Sequence, residues 1–122
     1  MKTRISGALA LALLCLALGA RAHAASDEHR GTVKGENTKS YTVTVADGQT
    51  LELSIKTKSS FVHFNVTQVG AKEPLWKGET QGDKFAEKFE KAGVYRVDVF
   101  LSEAEAKRGG QASFTLTVAS EP

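Results

Sequence analysis

The chain has 122 residues, enough for one domain and too few for two ordinary ones, and its 41% hydrophobic share is unevenly spread: positions 1–24 hold 16 apolar residues and the other 98 hold 34. Without that first block, 13 basic residues face 14 acidic ones, so the formal net charge moves from +2 to −1 and the excess that a nucleic-acid role would need is gone. Composition excludes a coiled coil, a collagen-like chain and a Cys-rich scaffold, since the single cysteine, Cys15, and the single methionine, Met1, both lie in the first block.

That block begins with Lys2 and Arg4, continues through an apolar run from Ile5 to Leu18, and ends in Gly19-Ala20-Arg21-Ala22-His23-Ala24. A basic n-region, an apolar h-region and an A-x-A site make a signal peptide over 1–24, cut before Ala25 or two residues earlier. The run is shorter than the roughly 20 residues a spanning helix needs, so the expectation is a periplasmic or secreted protein with no membrane insertion after processing. A lipoprotein site at Cys15 fits poorly, because Leu13-Leu14 stand where small residues are wanted.

Residues 25–34 are polar and read as a loose N-terminal arm or a short edge strand, followed by one domain over 35–120. Tyr41, Val43 and Val45 alternate with threonines, a half-buried strand. Asp47-Gly48 next predicts a two-residue hairpin turn to a second strand, in which Leu51, Leu53 and Ile55 alternate with Glu52, Ser54 and Lys56. Val62, Phe64 and Val66 face one way in a third strand, with His63, Asn65 and Thr67 on its polar face. Residues 70–84, with Gly70, Pro74, Gly78 and Gly82, form an irregular connection around Leu75 and Trp76. Phe85, Glu87 and Phe89 suggest a short strand, and Tyr95, Val97, Val99 and Leu101 a well-patterned one after Gly93. Ser102 to Arg108 changes character: Ser102 with Glu105 three residues on is a capping box, acids precede bases, and Gly109-Gly110 stop the helical turn. Phe114, Leu116 and Val118 close the chain. About seven short strands and one helical turn near 102–108 predict an all-β, antiparallel β-sandwich.

The chemistry-bearing residues are sparse. His29, beside Asp27 and Glu28, resembles a weak metal-binding cluster, with a solvated polar arm as the plainer reading, and His63 reads as a surface residue rather than a general base. No second His stands at ligand spacing and no Cys remains after processing, so neither a metal nor another cofactor is expected. There is no G-x-S-x-G elbow and no phosphate-cradling glycine loop, and the acids are scattered, so the chain does not read as an enzyme. Recognition is left to the loops. The most loaded holds Glu103, Lys107 and Arg108; the alternative view of it is a solvated turn with internal charge pairs. Trp76 is a second candidate, either as an exposed anchor or as a cap on one end of the sandwich. Lys72, Lys77, Lys84, Lys88 and Lys91 are interleaved with acids and form no one-sign patch for nucleic acid.

Two stretches carry a family resemblance. Gly35, then Tyr41-Thr42-Val43-Thr44-Val45-Ala46-Asp47-Gly48-Gln49, and later Ala92-Gly93-Val94-Tyr95-Arg96-Val97-Asp98-Val99, followed by a helical segment with Ala106-Lys107-Arg108 and a final Phe-x-Leu-x-Val strand, resemble the periplasmic inhibitors of goose-type lysozyme. A more distant similarity is to the pre-peptidase C-terminal β-sandwich domains. The resemblance implies a protein partner, a lysozyme, entered by loops around Glu36, Glu103, Lys107 and Arg108, from a monomer or weak homodimer. The family carries Ser at position 92, an aromatic at 36 and arginines at 103 and 107, where this chain has Ala92, Glu36, Glu103 and Lys107. Arginine suits a carboxylate-lined glycosidase cleft because its planar fork grips a carboxylate bidentately. The alternatives are a small-ligand or glycan-binding module with Trp76 as stacking platform, and a structural envelope protein.

Overall fold

The computed structural model describes residues 25–121; the leader expected over 1–24 lies outside the described residues. Ten elements follow in order: β1 (Ala25–Lys34), β2 (Lys39–Val45), β3 (Thr50–Lys56), β4 (Val62–Gln68), β5 (Trp76–Lys77), α1 (Gly78–Gln81), β6 (Lys84–Lys88), β7 (Gly93–Leu101), α2 (Glu103–Lys107) and β8 (Gln111–Glu121). The strands make two four-stranded sheets, ordered β1-β8-β3-β6 and β2-β7-β4-β5, with every pair antiparallel. The fold is an all-β sandwich.

Period-two alternation builds the core. Leu51 and Leu53 of β3, Val62, Phe64 and Val66 of β4, Val97 and Val99 of β7, and Phe114 and Leu116 of β8 all point between the sheets and are buried. Each such side chain contributes on the order of 1.5–3 kcal/mol relative to staying in water. Tyr95 also faces inward, its ring 4.6 Å from that of Phe89.

The Asp47-Gly48 hairpin is not formed. β2 pairs with β7 and β3 with β8 and β6, so this turn carries the chain from one sheet to the other. The turn chemistry is still used, with Gly48 at φ 74. What it serves is a second crossover beside it: Gly48 N donates to Phe89 O at 2.7 Å, Phe89 N to Gln49 O at 2.9 Å, and the Asp47 carboxylate accepts from Ala92 N. Every connection between successive strands except β4–β5 changes sheets in this way.

Residues 25–34 are a long edge strand rather than a loose arm. β1 pairs with β8 over its whole length, from Ala25↔Ser120 to Lys34↔Gln111. Its polar residues Glu28 and Arg30 lie on the exposed outer face, while inward it offers Val33, Gly31 under the Phe114 ring, and His29 stacked on Tyr41 at 4.8 Å. The connection after β4 also holds structure. Trp76-Lys77 pairs with Asn65-Val66, and α1 folds onto β4, where Gly78 N donates to Asn65 Oδ1 at 3.2 Å. This segment partly covers the outer face of β4, so His63 is half-buried instead of open: its Nδ1 lies 3.6 Å from Asp83 Oδ1, and Phe100 flanks the ring.

Candidate functional site

Three connections crowd one end of the sandwich: the β1–β2 turn, the β3–β4 loop and the segment between β7 and β8 that contains α2. Ser102 N donates to Phe61 O at 2.8 Å, which ties the start of α2 to the β3–β4 loop. Gly35 N donates to Gly110 O at 2.8 Å, which ties the β1–β2 turn to its end. Half-buried Ala106 packs against the core and anchors the helix from beneath.

Local chemistry explains the shape of the loop. Ser102 is the N-cap residue in extended geometry, but its hydroxyl makes no capping bond, so the expected capping box is absent. Glu105 is drawn away to the other end of the helix, where its carboxylate meets Arg108 and lies against Gly110. At the C-terminus Gly109 adopts φ 75, with Gly109 N donating to Ala106 O at 3.0 Å and Gly110 N to Glu105 O at 3.0 Å. A glycine in the left-handed region with backbone bonds closing the last turn is a common helix stop. It turns the chain sharply enough to start β8 beside β1.

Glu36, Glu103, Lys107 and Arg108 are all exposed. Lys107 Nζ sits 3.0 Å from Glu103 Oε2 at i,i+4 spacing, and Arg108 pairs with Glu105 at i,i+3. Exposed pairs of this kind are worth about 0–1 kcal/mol, so a partner's carboxylate can compete for either cation. The structure thus brings the Glu36 turn together with the Glu103–Arg108 loop. The backbone tie between Gly35 and Gly110 joins residues far apart in sequence and leaves no local pattern in the chain.

Trp76 stands apart from this cluster, on β5 opposite Val66. Its ring meets Phe85 edge-on at 5.4 Å, and its Nε1 donates to Gly82 O at 3.1 Å. The half-buried ring packs against the core.

No protein-family model matches the chain, and no curated protein matches it. Solved structures do. PliG of Aeromonas hydrophila, described as a periplasmic lysozyme inhibitor of g-type lysozyme, is 31% identical to this chain, with a TM-score of 0.69 over 81% of this chain and 87% of its own. PliG of Salmonella Typhimurium shares the fold at 17% identity, with a TM-score of 0.62 over 78% of this chain and 86% of its own. A PliG-Ec mutant from Escherichia coli does so at 16% identity, with a TM-score of 0.62 over 84% and 92%.

Proposed function

The chain belongs to the family of periplasmic inhibitors of g-type lysozyme, and from that premise we propose that it is an exported inhibitor that blocks such a lysozyme by entering its cleft with the 35–38 turn and the 102–110 loop. The observation that carries this reading is the Gly35–Gly110 hydrogen bond, which holds two exposed loops side by side at one end of a rigid sandwich. The protein binds and does not catalyse; its action is to exclude substrate from the partner's active site.

A glycosidase cleft is lined with the carboxylates that perform its chemistry. Lys107 and Arg108 are the cations this loop offers to them. In the free protein each cation has an internal acid, Glu103 or Glu105, so binding exchanges a weak exposed pair for a desolvated one. Truncating one member of a desolvated charge pair costs about 2–5 kcal/mol, far more than the exposed pair contributes. Glu103 opposes entry, since it brings a like charge toward the cleft.

The test is residual activity of a g-type lysozyme titrated with the purified protein, beside lysozymes of other types. Stoichiometric loss of g-type activity is the expected result. Full g-type activity at a large excess of the protein overturns the proposal.

A further inference from the structure

The β3–β4 loop forms a third side of the loop cluster, and a chain of hydrogen bonds holds it in place. Thr57 Oγ1 donates to Ser113 O at 2.7 Å, and Ser59 N donates to Thr57 Oγ1 at 3.2 Å. Phe61 N donates to Ser59 Oγ at 3.0 Å, and Phe61 O accepts from Ser102 N at 2.8 Å. The loop is therefore bonded to both flanks of α2, at its N-cap residue and at the start of β8. Together with the Gly35–Gly110 bond, these ties make three loops one surface.

What the third loop presents is an aromatic ring. Phe61 is 40% exposed and pairs with no other aromatic ring among the described residues. Phe64, Phe85, Phe89 and Phe114 are buried in the core. A single exposed apolar residue is ordinary on a protein surface, so its place decides what it means. The other exposed large hydrophobics, Val69, Leu75 and Val94, lie toward the far ends of β4 and β7. Phe61 alone stands at the α2 end, beside the N-cap of α2 and among the exposed charges Glu36, Lys58, Glu103, Lys107 and Arg108.

We propose that Phe61 is the apolar anchor of the inhibitory face, its ring docking on an apolar wall of the lysozyme's sugar-binding cleft while Lys107 and Arg108 meet the carboxylates. The inference rests on the inhibitor reading above and adds to it a third loop and a contact of different chemistry. Small-molecule sites are mostly apolar surface with a few placed polar groups, and sugar rings offer C–H faces to such a surface. A contact made of charges alone would leave that wall wet. An aromatic ring covers it with only two side-chain torsions to order, on a backbone already fixed at both of its polar atoms. A rigid aromatic anchor within a polar rim is the arrangement that concentrates binding energy.

Salt separates this contact from its charged neighbours, because the Debye length shortens from about 10 Å at 0.1 M to about 3 Å at 1 M while apolar burial is not screened. The experiment is calorimetric titration of a g-type lysozyme with the purified protein and with Phe61→Ala and Phe61→Leu, at low and at high salt. Phe61→Ala should raise Kd by about 30-fold or more, and Phe61→Leu, which keeps much of the apolar bulk and guards against loss through misfolding, should raise it less. The Phe61→Ala factor should be the same at both salt concentrations, whereas the factor for Lys107→Ala with Arg108→Ala should shrink at the higher one. Equal Kd for the unaltered protein and Phe61→Ala overturns the inference and leaves the inhibitor reading standing. A Phe61→Ala factor that disappears at high salt also overturns it, since the loss would then belong to the neighbouring charges. Failure of the unaltered protein to bind the lysozyme overturns both readings together.

Discussion

Tyr95 shows how much a single inward position carries. It is the third residue of β7, is buried to 6% exposure, and its ring lies 4.6 Å from that of Phe89 at the end of the sandwich opposite α2. Tyr95→Ala should destabilise the protein by roughly 3–5 kcal/mol, measured by chemical denaturation. In a domain with about 5–15 kcal/mol in total, that is a large fraction. Gly78 makes the complementary point, since its cost lies in an added atom. A Cβ there would strike the carbonyl oxygen of Phe64, so Gly78→Ala must push α1 off β4; a loss of about 1–3 kcal/mol is expected, visible as a lower melting temperature. Tyr41 adds a pH dependence. Burial raises its phenol pKa above the usual 10.0, so the fold prefers the neutral ring. That contribution is complete below the unfolded value and falls as pH rises through the folded one, and Tyr41→Phe should flatten the stability curve above about pH 10.

At the scale of elements, the α2 loop separates stability from binding. Lys107 and Arg108 contact no core residue through their charges, so changing both to Ala should alter stability by no more than about 0.5–1 kcal/mol. The same double change should weaken binding to a g-type lysozyme by several kcal/mol, at least 100-fold in Kd, if the loop enters a carboxylate-lined cleft. Glu103→Arg should strengthen it, as it removes a like charge and frees Lys107 from its internal partner; unchanged affinity in both variants would remove the loop from the contact. The strands of this site were legible in the sequence because alternation is a local signal, readable at Leu51-Leu53 or Tyr95-Val97 without knowing the partners. Pairing was not legible. Asp47-Gly48 has the chemistry of a hairpin, and only the competing registers of β7 and β8 turn it into a crossover. β1 was ambiguous for a related reason: its inward positions are His29, Gly31 and Val33, so the apolar half of the alternation is nearly missing and Phe114 and Tyr41 supply it from other strands. Glu105 was assigned to the helix start by spacing, and the structure draws it to Arg108 and Gly110 at the helix end.

At the scale of the whole molecule, β8 is the strand that joins the domain together, paired to β1 along ten positions and to β3 along seven. Integrity therefore depends on β1 being present from its first residues, which makes the position of the expected cut testable. The expected cut falls before Ala25 or two residues earlier, and Ala25 is already paired, opposite Ser120. Cleavage there leaves the whole β1–β8 ladder in place. A chain starting at Thr32 would lose seven of the ten pairs, uncover Phe114 at Gly31, and turn β8 into a long open edge, the kind of edge that recruits other chains. Intact-mass measurement on the exported protein should give a first residue within two or three positions of Ala25, and recovery of the full-length mass from membranes would overturn export. A variant lacking residues 25–31 should lose on the order of 2–3 kcal/mol, as several net backbone hydrogen bonds of about 0.5–1.5 kcal/mol each are removed and partly offset by the freedom regained. It should also self-associate as concentration rises. An unchanged denaturation midpoint and a monomeric truncated chain would mean that β1 is a passive edge and that β3 alone holds β8.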